Sequence, residues 1–177
     1  MPFKRLMLPL LAALCLWGGC GRPALANDLV LGRPAPPITL HSLDGRAIAL
    51  DSLRGRVVIL AFWATWCAPC RQELPLLSAY AARHAAQGLT VLGFSLDGAD
   101  TLPAVRRQAA GLGFPVGLLG SAWADGYGRM WRLPVSFVID RHGVLRYDGW
   151  DDDDAEAGWT EQRLNRIVGP LLESAAR

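Results

Sequence analysis

The sequence predicts a single domain of mixed α/β class, in which helices flank a central mixed sheet. Two continuous apolar runs, 57–62 and 89–96, have the length and composition of strands that are buried on both faces. Between them, residues 68–86 carry apolar side chains at helical spacing. A strand, turn and strand pattern over 136–147 adds a hairpin. With 177 residues, the chain is long enough for one such domain and short for two.

The first 26 residues are predicted to be a secretory signal peptide. Lys4 and Arg5 form a positively charged start, and an apolar run follows over 6–17. Small residues at 24–26 then offer a cleavage site. The apolar run is too short for a comfortable membrane span, which needs about 20 residues. We therefore expect residues 27–177 to be an exported domain, in a bacterial periplasm or another oxidising space.

Two other fates of this leader stay open. Cys20 follows Leu16-Trp17-Gly18-Gly19, which resembles in part a lipoprotein signal that ends before a lipidated cysteine. Trp17 occupies the position where such signals usually have leucine, so the cleavage site at 24–26 fits better. The leader could also stay uncleaved and serve as a membrane anchor.

The mature chain begins with an extended, proline-containing segment and an N-terminal β-hairpin. The segment spans 27–37. Two short strands, 38–40 and 47–50, then flank Asp44-Gly45, a dipeptide that favours a tight turn.

The helix predicted over 68–86 follows the buried strand 57–62 directly. Pro75 lies inside it and predicts a kink, and Gly88 marks its end. The last helix has a capping signal, because Thr160 can accept a backbone hydrogen bond and Glu161 favours the first turn. The other elements predicted after residue 100 are a helix over 101–110, a short strand over 115–119, a short helix and loop over 121–130, strands over 136–140 and 144–147, and an amphipathic helix over 159–175.

The charge distribution argues against two classes of partner. The formal net charge is +2, but Lys4, Arg5 and Arg22 lie in the leader and no acidic residue does. The remaining domain is close to neutral, without the basic surface that nucleic acid or anionic lipid would attract. No glycine-rich phosphate loop is present in the sequence, so we expect no nucleotide.

Cys67 and Cys70 are the only cysteines outside the leader, which holds Cys15 and Cys20. A bridge between residues three positions apart removes little entropy from the unfolded chain, so redox chemistry explains this pair better than stability does. The pair follows a buried strand and begins a helix, whose positive N-terminus favours a thiolate and should lower the pKa of Cys67. We assign Cys67 as the attacking, more exposed thiol and Cys70 as the buried resolving thiol.

Other uses of a C-x-x-C pair fit less well. A structural zinc site needs four ligands, and no second cysteine pair remains. Haem attachment needs a histidine directly after the motif, where this chain has Arg71. A copper-binding chaperone stays open, because thiolates suit Cu(I), although no Met or His cluster accompanies the pair. A peroxidase that uses Cys67 is a further alternative.

Residues 62–70, FWATWCAPC, resemble the active site of thioredoxin-like proteins, and most closely that of the TlpA/ResA-like group. That group contains membrane-tethered or periplasmic reductases and includes the cytochrome c maturation thioredoxins. Residues 53–56 resemble its lead into the core strand, and residues 133–140, LPVSFVID, resemble a segment centred on a proline. The resemblance covers about residues 34–173. It implies a thioredoxin-like fold with an added N-terminal β-hairpin and thiol-disulfide oxidoreductase activity.

The resemblance implies roles for residues outside the cysteine pair. Pro134 matches the group's cis-proline, which lies beside the C-x-x-C motif and offers backbone to an incoming chain, and Leu133 precedes it. The alternative is a trans proline in a loop, because cis bonds are a minority of X-Pro bonds. Trp66 could face a partner, since aromatic side chains favour interfaces, and Trp131 is a second candidate for the same role.

Glu73 matches an acidic residue near the active site of the ResA-like group. It could exchange protons with the thiols or tune their pKa values; the alternative is a solvated charge on the helix face. Many thioredoxins carry a buried aspartate six residues before the first cysteine, where this chain has Ala61. Glu73, or water, is therefore the nearby proton carrier that the sequence suggests.

The expected activity is reduction of disulfides in exported proteins. The Ala68-Pro69 dipeptide lacks the histidine that helps strong oxidants to stabilise their thiolate, so a reductant is favoured, while a disulfide-forming oxidant with the same site stays open. The family implies a membrane thiol electron donor, and apocytochrome c or another metalloprotein with ligating cysteines as substrate. No cofactor is expected besides the redox-active disulfide.

Overall fold

The structure is a computed structural model that describes residues 29–152 and 158–174. The predicted signal peptide, with Cys20, lies outside the described residues. None of the helices in those two ranges is long and apolar enough to cross a membrane.

The described elements follow the predicted order except over 121–130 and in the last helix. In chain order they are β1 (Thr39–His41), β2 (Ala47–Ala49), β3 (Val57–Trp63), α1 (Ala68–His84), β4 (Leu89–Ser95), α2 (Leu102–Ala109), β5 (Val116–Leu118), β6 (Trp123–Ala124), β7 (Gly128–Arg129), β8 (Val135–Ile139), β9 (Leu145–Asp148), α3 (Glu161–Ile167) and α4 (Gly169–Glu173).

The central sheet has the strand order β5-β4-β3-β8-β9 and is mixed, as predicted. β3 pairs parallel with β4 and antiparallel with β8, and all seven of its residues are buried. Val135 at the start of β8 lies opposite Phe62 near the end of β3. This register brings the residue before β8, Pro134, to the edge of the sheet where α1 begins.

Alternate residues of β3 pack into two hydrophobic cores, one on each face of the central sheet. Ile59 and Trp63 belong to the core that α1, α3 and α4 cover. Phe62 belongs to the core on the opposite face, where its ring stacks on Phe94 with centroids 5.1 Å apart and meets the edge of Phe137. Burying one such side chain contributes about 1.5–3 kcal/mol, so both faces hold β3 firmly in place below the site.

The N-terminal β-hairpin is confirmed. β1 and β2 pair antiparallel, with Leu40 opposite Ile48, and the turn carries Gly45 at a φ of 88°. An isolated bridge between Ser42 and Gly117 attaches the hairpin to β5 at the edge of the sheet. A Cβ at Gly117 would overlap the His41 carbonyl group, so the close approach of the two elements requires glycine there.

The segment over 121–130 corrects the prediction of a short helix and loop. It forms a small antiparallel pair of strands, β6 and β7. Gly126 and Gly128 have φ values of 76° and 85°, which suit a turn and disfavour a helix. The Tyr127 hydroxyl donates to the Pro36 carbonyl at 2.8 Å and anchors the turn against the N-terminal segment.

The last predicted helix is interrupted. α3 begins after Thr160, whose side chain accepts a hydrogen bond from the Arg163 N–H at 3.2 Å, as the capping signal predicts. The helix then breaks at Val168, because Gly169 is a poor helix former and Pro170 has no N–H for the helical ladder. The predicted end at residue 175 lies outside the described residues.

Candidate active site

The two cysteines lie at the N-terminus of α1 and form a disulfide, with Cα atoms 5.3 Å apart. Cys67 is the N-cap residue, and its sulfur accepts a hydrogen bond from the Cys70 N–H at 3.2 Å. A thiolate at this sulfur would be stabilised by that N–H and by the positive end of the helix. Cys67 is 5% exposed and Cys70 1%, so Cys67 is the more exposed of the two and Cys70 is buried, as predicted, although Cys67 is itself largely covered in the disulfide form.

Asp97 holds the loop that precedes Cys67, a role that was not predicted from the sequence. Its carboxylate accepts hydrogen bonds from the Thr65 N–H at 2.8 Å, the Thr65 hydroxyl at 2.6 Å and the Ser95 hydroxyl at 2.6 Å. Burial alone raises the pKa of Asp97, but these hydrogen bonds outweigh it and the pKa lies below its ordinary value. A sequence signal did exist, since Asp97 follows β4, the parallel neighbour of β3, and the two strands end at the same edge.

The Leu133–Pro134 peptide bond is cis, as the resemblance implies. Pro134 precedes β8 and lies at the end of the sheet that carries α1. It lines a small cavity together with Glu73. Leu133, the residue before Pro134, lines the cleft that contains Cys67.

Glu73 is buried one turn after Cys70, so the alternative of a solvated helix-face charge is wrong. One of its carboxylate oxygens accepts a hydrogen bond from the Trp159 N–H at 3.0 Å. Burial raises the pKa of Glu73 to about 7, against the opposing effects of this hydrogen bond and of the Arg163 charge. The adjoining cavity has a volume of about 10 Å³, comparable with the space that one water molecule needs.

Arg163 is a second buried charged residue near Glu73, and it was not predicted from the sequence. Its guanidinium donates to the Gly158 carbonyl and the Tyr147 hydroxyl, each at 2.9 Å, and forms an ion pair with Asp152. It also lies 5.4 Å from the centroid of the Trp159 ring. The amphipathic pattern of α3 could have identified Arg163, because it falls on the face that turns inward.

An open cleft of about 260 Å³ runs beside the disulfide. Trp66, the predicted partner-facing residue, lies on its rim and is 69% exposed. The cleft offers a mostly apolar surface directly beside the reactive sulfur. Its lining residues are Trp66, Cys67, Ala68, Pro69, Met130, Trp131, Arg132 and Leu133.

Comparison with known proteins places this geometry in a family. Residues 31–148 match the model of the AhpC/TSA family. The chain is 31% identical over 152 residues to the thiol-disulfide oxidoreductase ResA of Bacillus thuringiensis (strain Al Hakam), covering 82% of this chain and 87% of that one. The chain belongs to the AhpC/TSA family. This oxidoreductase has the disulfide-forming pair Cys67 and Cys70 at the helix terminus where the resemblance to ResA-like proteins places it.

Two further relatives agree with this assignment. The thioredoxin-like protein YneN of Bacillus subtilis (strain 168) is 30% identical over 118 residues, which cover 65% of this oxidoreductase and 68% of YneN. Among solved structures, a thiol:disulfide interchange protein of the thioredoxin family from Chlorobium tepidum TLS has a TM-score of 0.64 at 27% identity, covering 81% of this oxidoreductase and 99% of that chain. The thioredoxin-like fold and the thiol-disulfide oxidoreductase activity are thereby established for this chain.

Proposed function

We propose that this oxidoreductase is exported and reduces disulfides in other exported proteins. The observation that carries the proposal is the placement of Cys67, whose sulfur lies at the positive end of α1 and borders an open apolar cleft, with Cys70 within bonding distance behind it. The signal peptide predicted over 1–26 supports the export.

The proposed cycle begins with the dithiol form. The Cys67 thiolate attacks one sulfur of a substrate disulfide, forms a mixed disulfide and displaces the other substrate sulfur as a thiolate. Cys70 loses its proton and attacks Cys67, which releases the second substrate thiolate. The substrate gains two electrons and two protons, and the enzyme is left with the Cys67–Cys70 disulfide. A dithiol donor, which the family resemblance suggests is a membrane protein, then reduces it again.

Glu73 is proposed to take part in the proton transfers of this cycle. Cys70 must lose a proton when it attacks, and Glu73 is the buried carboxylate one turn along the same helix. A carboxyl group whose pKa is near 7 can hold or release a proton at neutral pH. Pro134, Leu133 and Trp66 are proposed to contact the substrate chain beside the cysteine pair.

The substrate class is proposed from the resemblance stated above. Cytochrome c maturation thioredoxins reduce cysteines that later bind a metal centre or haem, so apocytochrome c or another metalloprotein with ligating cysteines fits this site. An extended segment that carries a cysteine would fit the open cleft, whereas a deeply enclosed pocket would exclude it.

Two measurements test the proposal. The reduction potential of the mature domain can be obtained by equilibration with glutathione or dithiothreitol buffers. A value below about −200 mV supports a reductant, and a value near about −120 mV would show an oxidant with the same site.

The second measurement traps the substrate. The Cys70→Ser variant should accumulate mixed disulfides with exported proteins through Cys67, and Cys67→Ser should accumulate none. Metal analysis of the untagged protein addresses the copper-binding alternative, because stoichiometric copper would overturn the enzymatic proposal.

A further inference from the structure

The cleft beside Cys67 carries the two most exposed large hydrophobic side chains among the described residues. Trp66 is 69% exposed and Trp131 67%. Both line the cleft that contains the reactive sulfur. Trp123, which is 49% exposed, does not line it. Exposed aromatic side chains next to a reactive atom are candidates for the residues that carry binding energy.

Trp131 is held in one orientation although it is exposed. Its ring stacks on Trp150, with centroids 5.4 Å apart and planes inclined by 19°. Trp150 is itself anchored, because its indole N–H donates to the Tyr127 carbonyl at 3.0 Å. An indole ring that is already fixed loses little conformational entropy when a ligand covers it, so its apolar surface is available for binding at low cost.

Arg132 adds a fixed positive charge to this pair of rings. Its guanidinium lies 5.1 Å from the centroid of Trp131 and 5.7 Å from that of Trp150. It is anchored by hydrogen bonds to the carbonyl groups of Gly149 and Trp150. Arg132 is the only charged residue that lines the cleft in the described part of the chain. The positive charge of Arg132 would therefore repel a basic side chain of the substrate. An apolar side chain would cover the exposed ring surface without that repulsion.

We propose that Trp131, Trp150 and Arg132 form a specificity platform for the substrate side chain that neighbours the reactive cysteine. The platform selects polypeptides with a large apolar or aromatic residue next to that cysteine and disfavours those with lysine or arginine there. The proposal rests on the reductase function proposed above, because it requires a polypeptide disulfide in the cleft. It adds which sequence around the cysteine the enzyme prefers.

The test uses three synthetic peptides, each with one internal disulfide, that differ only in the residue next to one cysteine. That residue is leucine, alanine or lysine. The reduced mature enzyme is mixed with each peptide while a dithiol donor re-reduces it, and kcat/KM is measured from the appearance of reduced peptide after subtraction of the rate with the donor alone. We expect the leucine peptide to exceed the alanine peptide by about tenfold, as burial of one aliphatic side chain allows, and the lysine peptide to fall below alanine.

Variants assign the preference to the platform. Trp131→Ala should bring the leucine-to-alanine ratio close to one, and Trp131→Phe should keep most of the ratio, because a phenyl ring can still stack on Trp150. Arg132→Gln should raise kcat/KM for the lysine peptide relative to alanine. Trp123→Ala removes an exposed tryptophan outside the cleft and should leave every ratio as in the wild type.

The outcomes separate this proposal from the one on which it rests. If the wild type reduces all three peptides equally well, or if Trp131→Ala keeps the full ratio, the platform is refuted while the reductase proposal stands. If none of the peptides is reduced although the cysteine pair is in the dithiol form, the reductase proposal itself is refuted and the platform with it.

Discussion

The carboxylate of Glu73 accepts a hydrogen bond from the Trp159 N–H at 3.0 Å and thereby joins α1, one turn beyond the cysteine pair, to the start of α3. The two residues are 86 positions apart in the sequence. Either a carboxylate or the carbonyl oxygen of a neutral carboxyl group can accept this bond, so protonation of Glu73 does not break it. Burial outweighs the opposing effects of this hydrogen bond and of the Arg163 charge on the pKa, so it favours the neutral form of Glu73.

The Glu73→Gln substitution should remove a pH dependence of stability. The folded protein binds the Glu73 proton more tightly than the unfolded chain, because the pKa rises from an ordinary 4.5 to about 7 on folding. Its contribution to the free energy of unfolding is thus complete below about pH 4.5 and is lost as the pH rises towards 7, by on the order of 3 kcal/mol. Glutamine mimics the neutral form, so the variant should be about as stable as the wild type at pH 5 and more stable at pH 8.

Denaturant unfolding of the oxidised protein measures this difference without interference from thiol titration. The matched control is Glu161→Gln, which removes an exposed carboxylate that pairs with Arg83 on the surface. Its effect should be small and nearly the same at both pH values. A Glu73→Gln effect that does not change between pH 5 and pH 8 would show that Glu73 titrates normally in the folded protein.

Glu73→Gln should also change the pH profile of the reaction. If Glu73 exchanges a proton with Cys70, the single-turnover rate of peptide disulfide reduction should show an inflection near pH 7 in the wild type, and the variant should lack it. Rapid-mixing experiments between pH 5.5 and 8.5 measure this, with Glu161→Gln as the control. Superimposable wild-type and variant profiles would restrict Glu73 to a structural role.

Local patterns in the sequence were sufficient to predict the central sheet. The apolar run of β3, the cysteine pair after it and the helical spacing of α1 are each contained in fewer than 20 consecutive residues. The cis-proline followed from the resemblance alone, because nothing in the local spacing around Pro134 distinguishes it from a trans proline.

Contacts between distant segments could not be predicted in the same way. Glu73 lies in the second turn of α1, and it is buried because Trp159 and its neighbours, far along the sequence, return to cover it. Asp97 likewise acts on Thr65 across two parallel strands. β6 and β7 are only two residues long each, which leaves no periodicity to detect.

The Asp97→Asn substitution should loosen the loop that positions Cys67. Asparagine has one acceptor oxygen where the carboxylate has two, so at least one of the bonds from Thr65 and Ser95 is weakened, and we expect a loss of about 1–3 kcal/mol in the free energy of unfolding at pH 7. Since folding lowers the pKa of Asp97, the wild-type advantage is present above its ordinary pKa of 3.8 and shrinks as the pH falls below that value.

Denaturant unfolding at pH 7 and at pH 3 checks this prediction. Asp100→Asn provides the control, because Asp100 is an exposed carboxylate three residues away. Equal stability of Asp97→Asn and Asp100→Asn at pH 7 would mean that the Asp97 bonds contribute nothing measurable. The rate at which Cys67 reacts with an alkylating agent in the reduced protein gives a second readout, which should change in Asp97→Asn alone.

The Gly117→Ala substitution should separate the N-terminal hairpin from the central sheet. The added Cβ would overlap the His41 carbonyl group and approach the Leu40 side chain to 2.9 Å, and a backbone group has little freedom to move away. Overpacking of this kind costs about 1–3 kcal/mol. Gly111→Ala is the matched control, because its Cβ would meet no atom within 4 Å and the substitution should leave stability unchanged or slightly raised.

Denaturant midpoints measure the loss of stability, and hydrogen exchange should accelerate in β1 and β2 of Gly117→Ala but not of Gly111→Ala. If both variants unfold at the same midpoint with unchanged exchange, the hairpin is not held by its contact with β5, and the bridge between Ser42 and Gly117 carries no stability.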